Sequence, residues 1–263
     1  TGKPITQAYG EIENIRISFE AFCEKAKHLY GNVIPAGTEA GQEKTLQFTV
    51  REPLGVMLAI IPFNFPCDLY DQKVAPAILA GNTVIVKPPH QNPLTLIKLT
   101  KLLHDAGLPN GVVQILTGEG AIVGNALAKN PDVHGITFTG STAVGKTTYL
   151  NGAEHLAHVA LELGGNDAFI VLDDADIDLA VKEVVWGRMY NTGQVCCASK
   201  RFIVQKGVLK EFETKVVDTI SKLVVGNPMD KKTDIGCLVT KGACEKAVKQ
   251  IERVVEQGGR IIY

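Results

Sequence analysis

The chain has 263 residues with 27 Lys and Arg against 28 Asp and Glu, a formal charge of −1 and no long run of either sign, so the basic footprint of a nucleic-acid binder is missing. At 45% hydrophobic and 21% charged the composition excludes intrinsic disorder, and at roughly 150 residues per domain the length allows one large or two modest cores. The longest apolar stretch, 54–61, is ended by Pro62, far short of the roughly 20 residues of a membrane span. Six cysteines without C-x-x-C or H-E-x-x-H support neither a disulfide scaffold nor a metal site and fit a reducing cytoplasm. Residues 1–10 carry no leader-like pattern and Thr1 is not an initiator methionine, so the chain reads as a fragment or a processed product.

From Ile5 the apolar positions Ile5, Ala8, Ile12, Ile15, Phe19, Phe22, Ala26 and Leu29 form one stripe of an amphipathic helix that Gly31 stops. Residues 35–53 are polar with a β-rich stretch at 45–51 and read as an extended arm and oligomerisation segment. Short apolar runs then alternate with helical stretches, the runs falling at 54–61, 83–87, 112–116, 136–138 and 159–163. Continuous Val/Ile/Leu runs of this kind belong to parallel strands covered on both faces. The fold class is therefore α/β, a doubly wound, Rossmann-like parallel sheet. After Gly164 and Gly165 a second set follows: strand 168–172, helix 176–190, strand 201–205 and helices 209–223 and 241–257. The predicted organisation is a dinucleotide-binding domain (1–34 and 54–164), the arm (35–53) and a partial, truncated α/β catalytic domain (165–263).

Two glycine patterns compete for a nucleotide. Gly140-Ser-Thr-Ala-Val-Gly-Lys-Thr147 fits G-x-x-x-x-G-K-[ST] between an apparent strand and an apparent helix, the context of a P-loop. Phe169 to Leu172 followed by Asp173 is similar to the strand and Mg²⁺-binding carboxylate of such NTPases. No Arg or Gln stands out as a finger or water-positioning group. Gly118-Glu-Gly120-Ala-Ile-Val-Gly124 would let a backbone approach a phosphate, but its spacing is one residue longer than G-x-G-x-x-G and no acid follows about 20 positions on.

Reactive candidates follow from residue type. Cys196, in Gly193-Gln-Val-Cys196-Cys197, is a candidate nucleophile if a base partner exists. Glu162 ends an apolar strand, where a carboxylate points into the crevice that such sheets use for ligands. Asn64, in Pro62-Phe63-Asn64-Phe65-Pro66, offers an amide donor after the first sheet strand. Asp173, Asp174, Asp176 and Asp178 lack the glycine and the terminal Glu of a calcium loop and read as acids at a helix N-terminus.

Taken in order, Pro62-Phe-Asn64-Phe-Pro66, Ile85-Val-Lys87-Pro, Phe138-Thr-Gly140-Ser141-Thr, Leu161-Glu162-Leu-Gly-Gly165 and Gly193-Gln-Val-Cys196 resemble the aldehyde dehydrogenase superfamily over nearly the whole chain. The resemblance implies NAD or NADP as cofactor, a small-molecule aldehyde as substrate and a homodimer or homotetramer for the full-length protein. It implies that Cys196 attacks the aldehyde, with Cys197 as a neighbour, that Asn64 holds the oxyanion, and that Glu162 activates the water that hydrolyses the thioester. It places Lys87 at the adenosine ribose and Gly120, Gly140 and Ser141 along the adenine and pyrophosphate path. Phe63, on the cofactor side, replaces a tryptophan often found before the Asn. His90 stands three residues after Lys87, where many NAD-preferring members carry Glu, which leaves NAD against NADP open. The family's later Glu-x-Phe-Gly-Pro motif does not occur in these residues, so the chain by itself is expected to bind dinucleotide weakly and not to turn over aldehyde. The alternatives are a CoA-acylating aldehyde dehydrogenase, a P-loop NTPase through residues 140–147, and a non-enzymatic fragment.

Overall fold

The computed structural model describes residues 1–37 and 40–263; Thr38 and Glu39 of the arm lie outside the described residues. Two compact units divide the chain, one of Ile12–Glu162 and one of Thr1–Glu11 with Leu163–Tyr263. Residues 1–11, grouped by the sequence reading with the sheet domain, thus join the other unit.

In the first unit, helix α1 (Ile5–Ala26) ends five residues before Gly31. Lys27, His28 and Leu29 donate to the carbonyls of Glu24, Lys25 and Ala26, and these tighter i→i+3 bonds close the last turn. The arm is not a lone strand. Strand β1 (Val33–Ile34) pairs antiparallel with β2 (Gln47–Phe48), Val33 opposite Phe48.

Five parallel strands form the sheet of this unit: β3 (Val56–Ile60), β4 (Thr83–Lys87), β5 (Val113–Ile115), β6 (Gly135–Thr139) and β7 (His158–Glu162), in the order β5-β4-β3-β6-β7. Helices α2 (Pro66–Leu79), α3 (Leu94–Asp105), α4 (Asn125–Ala128) and α5 (Thr142–Ala153) make the crossovers. Side chains alternate between faces along a strand. Ala59, Val84, Val86 and Val113 therefore pack with Tyr70, Val74 and Ala77 of α2 and Leu96 of α3, while Leu58 and Ile136 pack with Ala128 and Val133. Both faces are covered, which is why the strands read as unbroken apolar runs. The order reverses between β3 and β6, the switch point of a doubly wound sheet.

In the second unit β8 (Asp167–Val171) pairs in parallel with β9 (Ser199–Val204) across α6 (Ile177–Met189). Asp176 caps α6 by accepting the Leu179 N–H at 3.0 Å. Helix α7 (Lys206–Ser221) adds Phe212 to a core of Val171, Ile177, Val181, Val184 and Val185. Helix α8 (Lys241–Glu256) follows with no buried residue. The first turns of α1 are bound to this unit by the Ile5 N–H, which donates to the Pro228 carbonyl at 2.7 Å. Lys3 and Glu11 form a buried ion pair. Among the described residues no helix is long and apolar enough to cross a membrane.

Candidate active site

Register places four strand ends of the first unit in one row. Ile60 lies opposite Lys87 and Phe138, and Phe138 lies opposite Leu161. Asn64, Gly140 and Glu162 follow those residues by four, two and one positions. The carboxyl edge of the sheet around its switch point therefore carries Asn64, Lys87, Gly140, Ser141 and Glu162, and this edge is where open α/β sheets take ligands. Phe63 and Asn64 are half-buried and Glu162 is exposed. The Phe63 carbonyl accepts from the Asn92 amide at 3.0 Å, which ties the Asn64 turn to the segment after β4. Lys87 is buried, its ammonium donates to the Pro88 carbonyl at 2.8 Å, and burial pushes its pKa below the ordinary lysine value. His90, just beyond, is exposed.

The P-loop alternative does not survive this geometry. Thr142–Ala153 is already helix, so Gly145 lies inside α5 and its N–H donates to the Ser141 carbonyl at 2.9 Å. A phosphate cradle needs those N–H groups free. Lys146 and Thr147 are helix residues, and the Thr147 hydroxyl donates back to Ala143. Ser141 is the cap, its Oγ accepting the Val144 N–H at 3.4 Å. Gly118-x-Gly120 is also no simple turn before a helix. Gly120–Gly124 forms one π-helical turn, and Gly118 has φ +143 with a Cβ position 2.5 Å from Val123 Cγ2, so only glycine fits there.

A dinucleotide fits the residues at this edge. Thr139 Oγ1 is buried and has no hydrogen-bond partner among the described residues. It precedes Gly140 at the N-terminus of a 12-residue helix, whose first N–H groups and dipole favour a phosphate.

Sequence reasoning missed Lys73. It lies on α2, is buried, and donates to the Thr137 hydroxyl at 3.1 Å. Burial lowers its pKa to about 8, an effect that the Glu162 carboxylate partly opposes. The available signal was a lysine inside the apolar stripe of a helix that follows Asn64.

Cys196 belongs to the second unit, on the loop between α6 and β9. Both Cys196 and Cys197 are exposed. Partial burial, then Cys197, pushes the Cys196 thiol above its ordinary value of 9.0. The loop begins with three consecutive left-handed residues, Asn191, Thr192 and Gly193, at φ 50, 57 and 73. Glycine suits the third of these positions, since at φ +73 a Cβ would lie 2.7 Å from Arg188 Nη1 and 3.1 Å from the Arg188 carbonyl oxygen. Lys200 closes the other end by donating to the Cys196 carbonyl at 2.8 Å.

A groove between α1 and α2 in the first unit is lined by Asn14, Ser18, Asp68, Asp71 and Gln72 with Ile17 and Ala21. No group of three or more His, Cys, Asp or Glu among the described residues could hold a metal ion.

The model of the family described as "Aldehyde dehydrogenase family" matches residues 1–263. The chain is 40% identical over 260 residues to a 3-sulfolactaldehyde dehydrogenase of Priestia megaterium, covering 99% of this chain and 54% of that protein. It is 40% identical over 261 residues to the NADP-dependent succinate-semialdehyde dehydrogenase of Escherichia coli, covering 99% and 53%. A crystal structure of an E. coli NADP-dependent enzyme superposes with a TM-score of 0.95 at 38% identity, over 100% of this chain and 54% of that one. Another neighbour, with a TM-score of 0.94 at 35% identity over 100% and 53%, is a complex with nicotinamide adenine dinucleotide. The chain thus spans about half the length of the curated relatives it matches. With a family match over every residue and the strand-edge constellation in place, the chain belongs to the aldehyde dehydrogenase family.

Proposed function

We propose that this chain carries out, within its enzyme, the NAD(P)-dependent oxidation of an aldehyde to a carboxylic acid through Cys196. The observation that carries the reading is the strand-edge row with Asn64, Lys87, Gly140, Ser141 and Glu162, joined in sequence to a braced loop that presents an exposed cysteine. Cys196 Sγ would form the bond to the carbonyl carbon while the Asn64 amide and the Cys196 N–H donate to the developing oxyanion. One such donor is worth about 2.7 to 4 kcal/mol in comparable sites. A bound dinucleotide supplies the hydride acceptor that turns the adduct into a thioester. Glu162 would take a proton from water as that water attacks the thioester, and the C–S bond breaks to return the thiolate, a base contribution of about 10²–10⁴-fold. Lys87 would hold the adenosine ribose and Gly140 with Ser141 the pyrophosphate, while Gly120 and Phe63 line the cofactor side.

A CoA-acylating reaction needs no hydrolytic base, and Glu162 counts against it. The exposed apolar side chains of the β1–β2 arm, Val33, Leu46, Phe48 and Val50, support assembly with further copies in a homo-oligomer.

The test is aldehyde-dependent reduction of NAD or NADP by the enzyme that contains this chain, together with calorimetric titration by NAD, NADP and Mg–ATP. Dinucleotide binding and loss of oxidation in Cys196→Ser are expected. Binding of Mg–ATP without dinucleotide would end the reading.

A further inference from the structure

We infer that Gln7 is a positioning residue for the Cys196 thiol, acting through the left-handed turn at Asn191. The inference rests on the reading of Cys196 as nucleophile. Left-handed backbone is unfavourable for residues with a Cβ, and here Asn191 and Thr192 adopt it in succession before Gly193. Such a run persists only where its surroundings over-determine it.

The surroundings are specific. Asn191 is fully buried, and its N–H donates to Gln7 Oε1 at 2.8 Å, across 184 positions of sequence. The Asn191 carbonyl accepts from the Gln194 side-chain amide at 3.1 Å, and Gln194 Oε1 accepts the Val239 N–H at 2.9 Å. Arg188 donates to the Gly193 carbonyl at 3.3 Å. Gln194 and Arg188 lie within the turn or one helical turn before it. Gln7 reaches it from the first turns of α1, two residues from the start of that helix.

Gln7 is itself held in place. Gln7 lies between Lys3, two residues before α1, and Glu11 on α1, and the buried Lys3–Glu11 ion pair brackets it. The Gln7 amide also donates to the Asp234 carbonyl at 3.4 Å. A buried N–H demands an acceptor. Without Oε1 the Asn191 N–H loses that acceptor, the turn relaxes toward right-handed backbone, and Cys196, five residues on, moves with it.

The test uses the chain itself and reads the rate of iodoacetamide alkylation at each cysteine by peptide mass spectrometry. Gln7→Leu, which removes the acceptor, should change the Cys196 rate by about threefold or more, the scale on which losing one hydrogen bond shifts a conformational equilibrium. The rate at Cys244, on α8, should stay unchanged. Gln7→Glu keeps Oε1 and should restore the wild-type Cys196 rate, which a merely structural loss would not do. If Gln7→Leu does not fold, Gln7→Asn, whose acceptor is withdrawn by one methylene, is held to the same threshold. A change of less than about threefold, or a Gln7→Glu rate displaced as far as that of the variant lacking the acceptor, overturns the inference. Retention of aldehyde oxidation in Cys196→Ser would instead remove the nucleophile reading and leave the alkylation result standing.

Discussion

The Lys73 ammonium donates to the Thr137 hydroxyl at 3.1 Å inside the sheet unit, where burial lowers its pKa to about 8. Below about pH 8 the amine is protonated in both native and unfolded chains, and the burial penalty is fully present. Between about 8 and the ordinary 10.5 the native chain sheds the proton that the unfolded chain keeps, so stability rises with pH. That interval corresponds to about 3 kcal/mol at about 1.4 kcal/mol per pH unit. Denaturant unfolding should show wild type gaining on Lys73→Met from pH 7 to pH 10. A difference that stays flat would show that the amine titrates as in water.

Cys196 and Cys197 are both exposed, yet they should not be equivalent. Cys196→Ser in the enzyme should abolish aldehyde oxidation, while Cys197→Ser retains most of it. Because Cys197 helps to raise the Cys196 thiol, Cys197→Ser should also lower the pH midpoint of Cys196 alkylation in the chain. Equal loss of activity in both variants, or a midpoint that moves upward, would contradict this.

Glu162→Gln should leave the thioester to form but stall its hydrolysis. Stopped-flow absorbance is expected to show a burst of reduced dinucleotide, then turnover lowered by about 10²-fold or more. Undiminished steady-state turnover would take Glu162 out of the base role.

Gly193 should not tolerate a side chain. With φ +73 and the Arg188 carbonyl oxygen 3.1 Å from the position of a Cβ, Gly193→Ala should cost more than about 1 kcal/mol. The loss would appear as a lowered melting temperature of the second unit and altered Cys196 alkylation.

What was legible in the residues is what local chemistry controls. The runs at 54–61 and 83–87 read as parallel strands because strands covered on both faces need no polar alternation. Asn64 and Glu162 could be singled out because they lie just after or at the end of such a run, where a doubly wound sheet opens its crevice, whereas Lys87 and Gly140 stood out only through the motifs that carry the family resemblance. Strand order, by contrast, comes from pairing between segments far apart in the chain, so only the folded sheet set Ile60 beside both Lys87 and Phe138. Tertiary structure also decided that residues 142–147 are helix and not a phosphate loop, since the same glycines and lysine satisfy either geometry until their N–H groups find acceptors. It buried Lys73 beside Thr137 and bound Asn191 to Gln7 across 184 positions. A periodicity records which face of a segment is buried, but the partner that a buried polar group finds depends on chain closure over long separations.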